Sequence, residues 1–377
     1  MQGRLRSVFV LAVGAAACVA LDLALDSIIK DSSLRQLLML SACNVLVALS
    51  LNVINGMAGQ FSIGHAGFIG IGGYTSAIVS SHLHQALGGG AVTFGKSFVV
   101  VPIALLASAA LAGLFGLLVG LPSLRLKGDY LAIVTLGFAE IFRLVIATAQ
   151  ATAANESVGD AFRTRGVFAG LGAAVSNLGG QNGYAGLHNE GVPLYAGPFW
   201  IIGLALLLGA VAWRLKFSGW GRALRALRED EIAAAAVGVD PTRYKVTSFV
   251  IAAVGAGIAG GLMAMNRDGT PTVQPDMYNF ASSFDAITMV ILGGSGSVTG
   301  AAIGGVFVTL TVKAIEYVQS TDVVQNLKRS SFQSLDLNAL RMIIYAGVLI
   351  TLMIVRPEGL LGEREITEKR AGKRAAA

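Results

Sequence analysis

Two glycine-rich stretches have spacing that could hold a phosphate. Gly90-Ala-Val-Thr-Phe-Gly95-Lys96-Ser97 fills every fixed position of G-x-x-x-x-G-K-S. In a phosphate loop, that pattern lets backbone N–H groups cradle the phosphates while the lysine reaches the outer ones, provided a strand feeds the loop. Here His82-Leu-His-Gln-Ala-Leu-Gly precedes it, which makes no buried strand, and a membrane-length apolar run follows. Gly255-Ala-Gly257-Ile-Ala-Gly260 fits G-x-G-x-x-G, but inside an apolar run. Close helix packing through Gly257 and Gly261, a G-x-x-x-G pair, explains it better. Neither stretch is read as a nucleotide site.

No enzyme is legible elsewhere. His82 and His84 lie two apart with no acidic or cysteine partner nearby, and His65 and His188 stand alone, so no metal site is expected. Cys18 and Cys43 both fall inside apolar runs and frame no disulfide. The chain is expected to need no cofactor of its own.

Polar residues are more informative where they interrupt apolar runs. Asn52, Asn55, Gln60, Ser62 and His65 gather just before a run in which Gly64, Gly67 and Gly70 recur at spacing three, with Tyr74 beyond. Glycines alone would serve a tight helix crossing. The amides favour a broken helix lining a solute passage, because irregular backbone at membrane depth is tolerated where it is protein-buried or faces water. A second constellation runs from Leu126 to Arg143 and holds Thr135, Glu140 and Arg143. Glu140 and Arg143 share a helix face at i, i+3 and can neutralise each other. Such residues within spans mark either a transport path or a structural pair. Asp285, Lys313, Glu316 and Arg341 raise the same question without a local motif.

The elements that must position these residues are membrane spans. Hydrophobic residues make up 54% of the 377, and only 13% are charged, against roughly 25% charged in a soluble domain. The 48 glycines fit close helix contacts. Apolar stretches lie near Val8–Leu25, Leu37–Ile54, Ser62–Ser80, Phe98–Leu121, Tyr130–Gln150, Pro198–Leu215, Val246–Met265, Phe280–Leu292, Ala301–Val318 and Ala339–Val355. The fold class expected is all-α: a polytopic membrane protein of about ten transmembrane helices, some broken or re-entrant. Val8–Leu25 is read as a retained first span rather than a cleaved leader. Phe280–Leu292 is short, and the glycine-rich Gly293–Gly300 after it reads as a break. Lys and Arg number 17 on the side shared by both termini and 8 on the other, so both termini are expected in the cytoplasm. The net charge of +6 therefore reports orientation, not nucleic-acid binding.

A single transmembrane domain over residues 1–377 carries two notable loops. Residues 151–197 form the extracytoplasmic one, a candidate docking surface or gate. The tail REITEKRAGKRAAA reads as solvated and basic. Residues 215–245 form the largest cytoplasmic loop, a charged island between two spans. There Arg222, Arg225 and Arg228 lie three apart on one helical face, followed by Glu229, Asp230, Glu231 and an alanine run with Ala233 and Ala234. Gly238 and Pro241 then stop the helix. Lipid headgroups would explain the arginines; they do not explain a short small-residue knob, which fits a cleft on another protein.

The island resembles the ATPase-contacting loop of branched-chain amino acid ABC importer permeases. The resemblance extends to LNVINGMAGQFSIGHAGFIGIGGYTSA, LPSLRLKGDYLAIVTLGFAEIFR, VILGGSGSVTGAAIGG and the terminal RPEGLLG. In the general importer pattern, Glu-Ala-Ala precedes a glycine after three residues. Ala233, Ala234 and Gly238 match, but Ile232 stands at the glutamate position and Glu231 is one place early. The resemblance implies a bacterial inner-membrane permease, paired with a second, homologous permease and two cytoplasmic ATPases that bind ATP and magnesium. An extracytoplasmic binding protein would deliver leucine, isoleucine, valine or a related solute. Urea and short-amide importers share this permease type. An ion-coupled transporter or channel using Glu140 and Asp285 is the competing class.

Overall fold

A computed structural model describes residues 29, 31–123, 129–149, 177–187, 190–320, 346–347, 350–351, 354–355, 359–362 and 365. Its elements are helical. α1 (Ser32–Leu51) continues as a π-helical segment (Asn52–Met57); α2 spans His65–Ala86, α3 Phe94–Ser123, α4 Asp129–Thr148 and α5 Pro198–Phe217. The island forms α6 (Gly219–Glu229) and α7 (Glu231–Ala236). α8 (Pro241–Ala264), α9 (Phe280–Gly293) and α10 (Val298–Ser320) complete the order, and the described residues hold isolated β-bridges but no strand.

Six of the described helices are long and apolar enough to cross a membrane: Ser32–Met57, Phe94–Ser123, Tyr130–Thr148, Pro198–Phe217, Pro241–Ala264 and Val298–Ile315. The expected count of about ten is therefore met only in part. α2 is too polar for that test and α9 too short. The expected span Val8–Leu25 lies outside the described residues, as do both termini and most of Ala339–Val355. The break expected after Phe280–Leu292 is present, with Gly294 at φ +114° and Gly296 at φ +87° turning the chain between α9 and α10.

α8 is the axis of the bundle, and its glycines explain why. A Cβ at Gly255 would lie 2.7 Å from Ser50 on α1; at Gly257, 2.5 Å from Ala112 on α3; at Gly260, 1.9 Å from the Ile69 carbonyl on α2. Three helices thus approach one helix on three sides, which only small residues permit. α3 turns Leu106, Leu114 and Leu118 outward, and α5 turns Leu206 outward, as hydrocarbon-facing helices do. Gly260→Ala is expected to lower stability by about 2 kcal/mol through overpacking against backbone. Its control is Gly137→Ala, which meets open space. Thermal unfolding in detergent checks this, and equal midpoints for the two variants would refute it.

At one end of the bundle, residues 184–187 and 190–196 lie across residues 265–273. Tyr184 and Val273 exchange N–H···O bonds of 2.8 and 3.0 Å, and Val192 donates to Pro271. Of the expected 151–197 loop, residues 151–176 and 188–189 lie outside the described residues. The opposite end carries the island.

Candidate translocation cavity and coupling loop

A cavity of about 390 Å³ opens among α1, α2, α9 and the segment after α8. That volume suits a small molecule. Its wall is apolar at Leu40, Val47, Ile69, Met263 and Met289, and polar at Gln36, Asn44, Asn266, Thr272 and Asp285. It reaches the surface by way of the exposed Thr270 and Met277, near the loop end.

Toward the island the bundle is shut. One turn beyond Val47, Ser50 Oγ meets His65 Nε2 at 2.8 Å. Next, Asn52 lies fully buried: its Oδ1 accepts from Gly296 N–H at 2.8 Å and its Nδ2 donates to the Ser297 carbonyl at 3.0 Å. The break in α1 is thereby bolted to the turn between α9 and α10. A Cβ on Gly56 would sit 2.3 Å from Gly296 N, so the two backbones touch.

Of the residues singled out as path candidates, Asn52, Asn55, Ser62, His65 and Thr135 lie about this closure, Tyr74, Glu140 and Arg143 lie toward the cavity mouth, and none is among the residues lining the cavity. Asn55 closes its own loop, accepting from Ser62 N–H at 3.2 Å. Thr135 Oγ1 accepts from Ile63 N–H at 3.2 Å, pinning that loop to α4. Gly67 and Gly70 give room to Ala139 and Phe142 of α4, and the Tyr74 ring packs against Phe142 and Tyr278. These glycines serve a helix crossing. The amide of Gln60 is buried with no hydrogen-bond partner among the described residues. Arg143 bridges Glu140 on α4 to Asp276, 3.1 Å away, in the segment that shapes the cavity mouth.

The island folds as two capped helices. α6 buries Gly221, Leu224 and Leu227 against the bundle, with Ser218 accepting from Gly221 N–H. Asp230 breaks the helix and caps α7, its carboxylate accepting from Ile232 and Ala233 N–H at 2.8 and 2.9 Å. Glu231 pairs with Lys245 at 2.6 Å and Glu229 with Arg228 at 3.3 Å. The acidic triplet is thus a cap flanked by two pairs. α7 stands clear of the bundle: Ala234 is buried, while Ile232 is 83% and Val237 79% exposed. Gly238, at φ +89° with nothing near its missing Cβ, reverses the chain.

The single arginine face needs correction. A spacing of three drifts around a 3.6-residue helix, so Arg222 and Arg225 stay exposed while Arg228 turns inward. Its Nη1 donates to the Gly56 carbonyl at 2.8 Å. The island is therefore wired to the broken end of α1.

The solvated tail also needs correction at one residue. Glu365 is buried, accepting from Lys216 Nζ at 2.6 Å, Val298 N–H at 2.8 Å and Thr299 N–H at 3.1 Å. Burial pushes its carboxyl up, but these bonds and that from the Thr299 hydroxyl outweigh it and hold the group below the usual carboxylate range.

Residues 33–353 match the sequence model of the branched-chain amino acid transport system permease component. The chain belongs to that family. Its relatives include the high-affinity branched-chain amino acid permease LivM of Salmonella typhimurium, 34% identical over 84% of this chain and 67% of the relative. LivM of Escherichia coli is 33% identical over the same shares. LivH of Escherichia coli is 28% identical over 44% of this chain and 47% of LivH. No solved structure is significantly similar to the chain.

The permease is thus a multi-pass membrane protein, and both nucleotide-like motifs resolve as packing and turn chemistry. Gly95, Lys96 and Ser97 lie in the first turn of α3, which follows a helix rather than a strand. Lys96 Nζ donates to the Gly89 carbonyl at 2.6 Å, and Ser97 accepts from Trp200 Nε1 at 3.1 Å. The cavity wall and Glu365 were missed because their residues are scattered along the chain. Only the polarity of Asn44 within α1, Asp285 within α9 and Asn266 just beyond α8 offered a signal.

Proposed function

We propose that the permease is the M-type translocation subunit of an ABC importer. It would move leucine, isoleucine, valine or a close relative into the cell. A second homologous permease completes the pathway, an extracytoplasmic binding protein delivers solute at the loop end, and two ATPases drive transport from the island end, in a bacterial inner membrane. ATP and magnesium are held by those ATPases.

The observation that carries this reading is one connected arrangement. A cavity opens at one end; the bolt at Asn52 shuts the other; Arg228 joins the bolt to an exposed apolar helix tip. An amphipathic cavity accommodates a solute with charged groups and an aliphatic side chain, whose burial on Leu40, Val47, Ile69 and Met289 is favourable. Urea has no such side chain to bury, so the wall favours the amino acid. Ile232 and Val237 supply the apolar anchors that a docking knob requires.

Proteoliposomes containing the permease, its partner permease and the ATPases test this. Leucine uptake is expected to depend on ATP. Ile232→Asp paired with Val237→Asp is expected to weaken ATPase docking by about 2 kcal/mol or more, as loss of a hot spot does, and to abolish uptake at normal abundance. Uptake by the permease alone on an ion gradient, or ATP-driven uptake indifferent to the paired substitution, would overturn it.

A further inference from the structure

The coupling reading uses Arg228 but leaves unexplained a second link between the island and the turn at 294–297. The C-terminal segment containing Gly359–Gly362 and Glu365 lies against that turn. Leu360 N–H donates to the Leu292 carbonyl at 2.8 Å, and Leu361 N–H to the Gly293 carbonyl at 3.2 Å. A Cβ on Gly294 would fall 2.4 Å from the Gly362 oxygen, and one on Gly359 would fall 2.7 Å from Gly294 N. Backbone rests on backbone, with no side chain between to yield.

Glu365 finishes the contact. Its carboxylate closes the start of α10 by accepting from Val298 and Thr299, and it also takes the Ser297 hydroxyl at 3.2 Å. Its fourth partner is Lys216, in the last turn of α5, at the base of the island and three residues before α6 begins. Both members of this ion pair are buried. Desolvation offsets most of what such a pair contributes to stability, so its better-attested use is to fix one arrangement over others. Ser297 and Gly296 are themselves held by Asn52. A continuous chain of short contacts therefore leads from the base of the island, through the C-terminal segment, to the bolt that shuts the cavity.

We propose that this segment is a strap transmitting movement of the island to the turn between α9 and α10, with Glu365 and Lys216 as its positioning residues. The proposal rests on the importer reading above. Two ties then act on one bolt, Arg228 on the α1 side and Glu365 on the α10 side. Separating Asn52 from Gly296 requires the island to move both.

The test measures solute moved per ATP hydrolysed in the assembled transporter. Lys216→Met leaves the Glu365 cap of α10 in place and cuts only the tie to α5. It is expected to lower the ratio roughly tenfold, the size of an ordinary coupling term, while ATP hydrolysis persists. Lys216→Arg, which keeps the charge, is expected to hold the wild-type ratio. An unchanged ratio in Lys216→Met, or hydrolysis falling in proportion with uptake, would overturn the strap. If Lys216→Met does not accumulate, Glu365→Gln decides in the same assay, and an unchanged ratio there overturns it equally. Wild-type transporter that hydrolyses ATP without moving any branched-chain amino acid would instead sink the importer reading.

Discussion

Asn52→Leu is expected to cost about 4 kcal/mol of stability, since each buried polar group left unpaired loses about 2 kcal/mol. The substitution keeps the branched shape of the side chain and removes both of its bonds, orphaning the Gly296 N–H and the Ser297 carbonyl. Neither group can turn to water, because Gly56 and Gly296 are in backbone contact. The break in α1 and the turn after α9 then lose their bolt together. A thermal midpoint in detergent, read beside Asn55→Leu, measures the effect. Asn55 serves only Ser62, seven residues along, in a half-exposed loop, so its loss is expected to be much smaller. Equal midpoints for the two variants would show that the bolt contributes no more than a local loop bond.

Uptake should fall roughly hundredfold in Ala66→Phe, which corresponds to about 3 kcal/mol of lost solute binding. Ala66 and Ala264 contribute to the cavity wall from α2 and α8. A ring at either position takes space that an aliphatic side chain would fill, whereas the island and its ties are untouched. ATP hydrolysis and membrane abundance are therefore expected to survive, and Ala264→Phe should repeat the result from the opposite wall. Initial leucine uptake, normalised to the amount of permease in the membrane, is the measurement. Full uptake in both variants would place the solute path elsewhere.

The α9 break and the island were legible because their signals are local. Gly293–Gly300 is short on side chains over consecutive positions, and Gly294 and Gly296 adopt positive φ there. The Gly257–Gly261 pair was legible for the same reason. In the island the stop at Gly238 and Pro241 was read, but Asp230, which caps α7 through residues two and three places on, divides the island into two helices where one was expected. The path candidates Asn52, Thr135 and His65 carry hydrogen bonds whose partners the sequence did not name. Asn52, Thr135 and His65 do mark the point where the membrane helices break, and in the fold they hold that break together.

Chain order alone determined the membrane class, the helix breaks, the charged island with its stop at Gly238 and the close-packing Gly257–Gly261 pair of α8, because each depends on neighbours within a turn or two. Tertiary structure alone decided what those features act upon. Asn52 finds Gly296 across 244 residues, Arg228 finds Gly56 across 172, and Lys216 finds Glu365 across 149. A buried donor or acceptor must be matched, yet nothing in its local sequence says which distant backbone will match it. The cavity follows the same rule. Its wall is assembled from four separate stretches, and its existence depends on how closely glycine lets α8 and its neighbours approach.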